Sequence, residues 1–179
     1  TMLNNETDCF MKECDAMIGR YCEVINRINI LQSCVIDTEL QRWKRGQQLY
    51  NNGVDYEGYK LDEIQDWCLY IFELIMEVRE QIKQMQETCQ NFANSAYMSE
   101  QLFNQFHLTK TLLFKLIEST FVIEKQPPQV MKTNTRFTAT VRLLVGSKLG
   151  LEHHPPSVTV YIISEHQASL LGKDQNGMF

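Results

Sequence analysis

The sequence contains little proline, and it has no long apolar run. Its 179 residues include four prolines, which occur as two adjacent pairs after residue 126. Because proline interrupts helices, its absence from residues 1–126 permits long helices there. No apolar stretch approaches the roughly 20 residues that a membrane-spanning helix needs. The first 20 residues are polar and acidic, without the apolar segment of a secretory signal.

The chain also lacks the residue patterns that carry catalysis or bind metals. Its six cysteines form no CxxC pair, and all fall in helical sequence, so we expect reduced, buried thiols of a cytosolic or nuclear protein. His153 and His154 are adjacent, and no carboxylate or thiol is positioned to complete a metal site. A glycine-rich phosphate loop, a nucleophile elbow and an HExxH motif are absent. We therefore predict no enzyme activity, no metal and no cofactor.

Charge is distributed unevenly along a chain of otherwise ordinary globular composition. Hydrophobic residues make up 44% and charged residues 22% of the sequence, enough for a real core. Residues 1–124 contain 11 Lys/Arg and 19 Asp/Glu, a net charge of −8, whereas residues 125–179 contain six and three, a net charge of +3. An acidic segment repels nucleic acid, and a basic one permits phosphate contacts. The change of sign favours a domain boundary at this point.

Apolar residues before this boundary recur at helical spacing. Steps of four and three alternate over eight positions from Phe10 to Val35, and over ten from Leu61 to Phe92. This spacing is typical of helices that pack along their length, and we expect these positions to form a core rather than a partner surface. A second stripe, which includes Ile18 and Ile25, makes the first face wide enough for a bundle. The first seam consists of Phe10, Cys14, Met17, Tyr21, Val24, Ile28, Leu31 and Val35.

A loop at residues 50–60 and a break at residues 91–99 divide this part of the chain into three predicted helices. Short connections favour antiparallel neighbours in an elongated bundle. Three helices do not close a four-helix core, so we expect a fourth helix upstream of Thr1. The chain would then be an excerpt of a longer protein.

The pattern changes to two-residue alternation after Pro127 and Pro128. Residues 137–145 and residues 158–163 both alternate as strands with one buried face, separated by a loop. Two or three strands are not stable alone in water. We therefore predict a mainly α chain, in which a bundle at residues 1–124 precedes the first strands of an immunoglobulin-like β-barrel or sandwich at residues 125–179.

Three stretches together resemble the STAT family (signal transducers and activators of transcription). Residues 37–49, DTELQRWKRGQQL, are similar to the end of the family's second coiled-coil helix, and residues 61–82 to its third. Residues 121–146, FVIEKQPPQVMKTNTRFTATVRLLVG, resemble the passage from the fourth helix into the β-barrel DNA-binding domain. This last stretch is the most specific, and its Gln-Pro-Pro-Gln-Val wording is nearest to the STAT5-like or invertebrate branch.

The resemblance implies a latent cytoplasmic transcription factor of JAK-STAT signalling, which receptor-associated kinases phosphorylate on tyrosine. It implies homodimers or heterodimers formed through a phosphotyrosine-recognition domain, entry into the nucleus, and binding to short palindromic DNA sites. The coiled-coil domain would contact receptors, co-regulators and the import machinery. Because only the beginning of the DNA-binding domain is included, we expect this chain not to bind DNA tightly alone.

The resemblance places the candidate DNA contact in the loop after Val145. Several family members have a lysine directly after this valine, where this chain has Gly146. Lys148 is a candidate source of the charge, and Gly146 and Ser147 would let the backbone approach a phosphate. The alternative is a solvated loop lysine, and Lys132 and Arg136 would equally well pair with acidic groups of the bundle. A second function also stays open, that of a helical adaptor or scaffold that never touches DNA.

Overall fold

The computed structural model describes residues 2–50, 60–89, 96–127, 130–151, 156–159, 164, 166–167 and 170. The helical elements are α1 (Met2–Ser33), a π-helical segment (Cys34–Leu40), α2 (Gln41–Tyr50), α3 (Leu61–Cys89) and α4 (Ala96–Ser119). Two strands, β1 (Phe121–Lys125) and β2 (Thr140–Leu143), and a 3-10 helix (Gly146–Leu149) follow. None of the described helices is long and apolar enough to cross a membrane.

The bundle forms around the apolar face of α3. Eight of its predicted seam positions are buried, and four of them, Ile64, Cys68, Ile75 and Ile82, are fully inaccessible to solvent. Both α1 and α4 pack on α3 and on each other, so that one continuous core runs along the three helices. Asp62 and Glu63 lie in the first turn of α3, where negative charge favours the helix dipole. The predicted helical bundle is therefore confirmed.

The predicted register of α1 is wrong at three of its eight positions. Met17, Val24 and Leu31 are 38%, 40% and 51% exposed, whereas Ile18 and Ile25 are buried. The two stripes are both apolar and lie side by side, so spacing alone does not separate them, and packing against α3 and α4 selects one. In the rod formed by α1, the π-helical segment and α2, the buried positions are Cys14, Ile18, Tyr21, Ile25, Ile28, Gln32, Ile36, Leu40, Trp43 and Gly46.

A π-helical segment explains why the heptad spacing fails towards the end of this rod. Residues on both sides of Cys34–Leu40 have right-handed helical dihedrals, so the helix continues into α2 without a break. Through the wider turn the buried positions Gln32, Ile36 and Leu40 follow in steps of four. The Gln32 amide donates a hydrogen bond of 3.1 Å to the carbonyl of Leu112, which joins the rod to α4.

The expectation of buried thiols is right for three cysteines and wrong for the other three. All six are free. Cys14, Cys68 and Cys89 are buried, and burial raises the pKa of the Cys68 thiol to about 12. The exposed cysteines are Cys9, Cys22 and Cys34.

The sheet begins earlier than the alternating pattern predicts. Strand β1 follows α4 directly after Thr120. The buried hydroxyl of Thr120 donates a 2.7 Å hydrogen bond to the carbonyl of Leu116. It pairs antiparallel with β2, from Phe121 opposite Leu143 to Lys125 opposite Thr140, with an irregularity between Ile123 and Lys125. The predicted strand at residues 137–145 is shorter in the structure. Of the predicted strand at 158–163, residues 160–163 lie outside the described residues.

The side chain of Arg142 connects this sheet to α3 of the bundle. Its guanidinium donates to both carboxylate oxygens of Glu124 on β1, at 3.1 and 2.5 Å, and to Asp62 on α3 at 2.6 Å. The hydrogen bond to Asp62 raises the pKa of Arg142 above its usual value, and Glu124 adds to the effect, while burial opposes it. Because Arg142 and Glu124 are only 30% and 32% exposed, the bonds between them are shielded from water more than an ordinary surface pair. The Asp62 carboxylate is 78% exposed, so the bond to α3 is open to solvent on one side.

The register of α1 can be tested by alanine substitutions at two neighbouring positions. We expect Ile25→Ala to lower the free energy of unfolding by about 2–5 kcal/mol, because truncating a buried side chain leaves a cavity. Val24→Ala should cost less than about 1 kcal/mol, since this side chain is partly solvated. Urea unfolding followed by far-UV circular dichroism measures both values. Equal losses at the two positions would contradict the observed register.

The role of Arg142 can be tested against an exposed ion pair of the same chain. We expect Arg142→Gln to lower the free energy of unfolding by about 1–3 kcal/mol, because two carboxylates lose a charged donor. Arg142→Lys should give an intermediate loss, since it keeps the charge but not the planar fork. The control is Arg27→Gln, whose partner Glu23 lies on the same helix and is 61% exposed. If thermal unfolding shows the same loss of stability for both glutamine variants, the contacts of Arg142 contribute no more than an exposed ion pair.

Candidate nucleic-acid interface

The candidate residues Gly146, Ser147 and Lys148 lie together on a compact turn. The turn starts from Val145, which is fully buried. Backbone hydrogen bonds close it, from Lys148 N–H to the Val145 carbonyl at 3.1 Å and from Leu151 N–H to the Gly146 carbonyl at 3.4 Å. The turn therefore presents its residues from a backbone that is fixed at its base.

The two glycines of the turn have different roles. Gly150 ends the 3-10 helix at φ +67°, a left-handed conformation that favours glycine. Gly146 has no such conformation, and a Cβ atom built on it would meet the Leu143 side chain at 3.7 Å, an ordinary van der Waals distance. The backbone at position 146 therefore accepts other residues, and the glycine there is not required for folding of the turn.

The structure places Lys148 in an ion pair that neither of the two sequence interpretations included. Its Nζ atom lies 2.5 Å from Oε1 of Glu73, which is on α3. The two side chains are 40% and 51% exposed, so both keep contact with solvent. Lys148 is thus neither simply solvated nor free, and its present partner is a carboxylate of the bundle. Long-range pairing of this kind leaves no local pattern in the sequence.

Among the described residues, Lys132 and Arg136 form no ion pair with an acidic residue of the bundle. The chain from β1 onwards is called the β part. Within the described residues, its ion pairs with α3 come from Arg142 and Lys148 instead. Lys132 and Arg136 are exposed, and together with Lys125 they line a hollow of about 610 Å³. No carboxylate is among the described residues that line it. This hollow is therefore a positively charged part of the surface.

The structure contains no obvious metal centre in its described part. No group of three or more His, Cys, Asp or Glu side chains is placed to hold a metal ion there. His153 and His154 lie outside the described residues.

Comparisons with known proteins identify both parts of the chain. Residues 1–114 match the STAT transcription factor coiled-coil domain, and residues 125–178 match the STAT protein DNA binding domain. The chain is also similar to a signal transducer and transcription activator of Anopheles gambiae, with 30% identity over 165 residues. That alignment covers 92% of this chain and 23% of the relative, so the chain spans about a quarter of the length of the relative.

Both matched domains are parts of transcription factors, which agrees with the prediction that the chain is not an enzyme. The STAT5-like or invertebrate branch stays a prediction. The helical bundle, the strands that follow it and the two domain matches in the same order show that the chain belongs to the STAT family.

Proposed function

We propose that the protein is a sequence-specific DNA-binding transcription factor of the JAK-STAT cytokine and growth-factor pathway, activated by tyrosine phosphorylation and dimerisation. The observation that carries this proposal is the presence of a STAT coiled-coil match and a STAT DNA-binding match in one chain. The protein would be cytoplasmic before activation and nuclear after it. Phosphorylation and dimerisation would involve regions outside these residues.

The proposed domain boundary separates a bundle at residues 1–124 from the beginning of a DNA-binding barrel at residues 125–179. Two observations support it. Net charge changes there from −8 to +3, and the DNA-binding match begins at residue 125. Strand β1 starts a few residues earlier, at Phe121. The chain would therefore enter the barrel directly from α4, without a flexible linker.

The proposed DNA contacts are Gly146, Ser147 and Lys148. Ser147 and Lys148 are exposed, and the turn that carries them is closed by backbone hydrogen bonds. Phosphate contacts position a protein on DNA, and a lysine presented from a fixed turn suits that role. The basic hollow formed by Lys125, Lys132 and Arg136 adds positive charge in the same domain. Both features support binding to the phosphate backbone rather than reading of bases.

The bundle is proposed to contact receptors, co-regulators or the import machinery. A groove of about 410 Å³ runs between the first rod and α3, and Leu31, Tyr70 and Leu74 line it with partly exposed side chains. Exposed apolar surface of this kind is typical of sites that other proteins cover. The groove supports a protein-binding role for the bundle. A DNA-binding protein of this family would have this role in addition to the DNA-binding role of its barrel.

The full-length, phosphorylated protein provides the test of the function as a whole. We expect its affinity for duplex DNA to fall steeply as salt concentration rises, because phosphate contacts release counterions. Absent or salt-insensitive binding would favour a helical adaptor or scaffold. The flanking coding sequence gives a second check, since it must encode a phosphotyrosine-recognition domain and a tyrosine after it.

Replacing the candidate lysine tests the DNA contact in that full-length protein. We expect Lys148→Gln to weaken DNA binding on the order of tenfold for all sequences, and to reduce the slope of log K against log salt by about 0.9 for each phosphate lost. Lys115→Gln is the control, because Lys115 lies on α4 and pairs with Asp37 of the bundle. Equal behaviour of the two variants in fluorescence anisotropy titrations would remove Lys148 from the interface.

Adding a lysine at position 146 tests the same loop in the opposite direction. The backbone there accepts a side chain, so we expect Gly146→Lys to strengthen DNA binding by roughly 3- to 10-fold and to make the salt dependence steeper. Gly19→Lys adds the same charge to α1, where a Cβ atom meets nothing within 4 Å. A gain at position 146 that does not exceed the gain at position 19 would show a general charge effect.

A further inference from the structure

The acidic edge of α3 faces the basic residues of the β part. Asp62 and Glu73 lie three turns apart on this helix and each binds a cation of the β part, Arg142 and Lys148 respectively. The two contacts differ in their surroundings. Among the described residues, Arg142 binds two carboxylates, Glu124 at 32% exposure and Asp62 at 78%. Lys148 binds one carboxylate there, that of Glu73, which is 51% exposed.

The Lys148 pair is exchangeable because both of its side chains, at 40% and 51% exposure, keep contact with solvent. An ion pair between solvated side chains gains little Coulomb energy, because water screens both charges. The ammonium of Lys148 is a single positive charge on a flexible stem, so it can turn from the Glu73 carboxylate to a DNA phosphate without movement of the turn. The two anions then compete for one cation.

We propose that Glu73 is a competitor of DNA phosphate for Lys148, so that contact with the bundle and contact with DNA exclude each other at this lysine. The inference rests on the proposed DNA contact of Lys148 and goes beyond it, because it assigns a role in DNA binding to a residue of the coiled-coil domain. Glu73 acts through Lys148 and does not itself touch DNA. When the lysine turns to phosphate, the Glu73 carboxylate is released to solvent.

Competition of this kind couples the bundle to DNA. By linkage, DNA that releases Glu73 makes this carboxylate available on the outer surface of α3, and any partner that binds Glu73 strengthens the contact of Lys148 with phosphate by the same factor. A cationic partner of the bundle near Glu73 would therefore raise DNA affinity. The protein-binding and DNA-binding parts would be connected through a single exposed ion pair.

The test uses the full-length, phosphorylated protein and a DNA duplex selected for binding to the unmodified protein. We expect Glu73→Gln to strengthen DNA binding by about 1.4- to 5-fold per DNA-contacting subunit, the range that corresponds to the usual strength of an exposed pair. Glu77→Gln is the matched control. Glu77 lies one turn further along α3, is exposed, and accepts a 2.9 Å hydrogen bond from Gln81, so its replacement removes the same charge without touching Lys148. The gain at position 73 must exceed the gain at position 77.

A second background separates the inference from the proposed function. In Lys148→Gln protein, Glu73→Gln and Glu77→Gln should change DNA binding by the same factor, because the contested cation is gone. If Lys148→Gln alone leaves DNA binding unchanged, the proposed contact fails, and the competition fails with it. A third outcome is that Lys148→Gln weakens DNA binding, but Glu73→Gln strengthens it no more than Glu77→Gln does in either background. The DNA contact of Lys148 then stands, and the competition is wrong. An excess at position 73 that persists without Lys148 also overturns the competition.

Discussion

The two faces of α3 constrain the positions of most other described elements. Its apolar stripe packs against α1 and α4 and defines the core of the bundle. Its acidic edge holds the β part through Asp62 and Glu73. Because one helix carries both sets of contacts, the turn at Gly146–Leu149 is placed relative to the bundle core by side chains only a few turns apart. A helix of 29 residues without proline or glycine is well suited to this, since nothing in it favours a kink.

The sequence predicts what depends on local pattern, and the two long helical seams show both the strength and the limit of that. In α3 the seam positions from Leu61 to Ile82 are buried as their spacing predicts. In α1 two neighbouring stripes are apolar, so the choice between Met17 and Ile18 depends on the other helices. The π-helical turn adds a local change of period that no heptad count includes. Helix existence is therefore predictable for both seams, whereas helix register is predictable in α3 and not in α1.

The β part and the candidate site depend on contacts between distant residues, which periodicity does not report. Strand β1 became visible only as the partner of β2, because five residues between a helix and a proline pair carry too little pattern of their own. Arg142 meets Asp62 across 80 positions of sequence, and Lys148 meets Glu73 across a similar separation. From the sequence alone the sign of the charge on each side was known, but not which cation meets which carboxylate.

The choice of cations suits the two contacts to different roles. Arginine binds two carboxylates at once through its planar fork, and the half-buried position strengthens its bonds to Glu124. Such a contact holds the sheet on α3 whether or not another anion is present. Lysine is a point charge on a flexible stem, and at an exposed position its pairing with Glu73 contributes little free energy. Arg142 can therefore keep the sheet bound to α3 while Lys148 exchanges the Glu73 carboxylate for a phosphate. A turn held at its base and charged at its outer side can thus keep its place on the bundle and remain available to a phosphate.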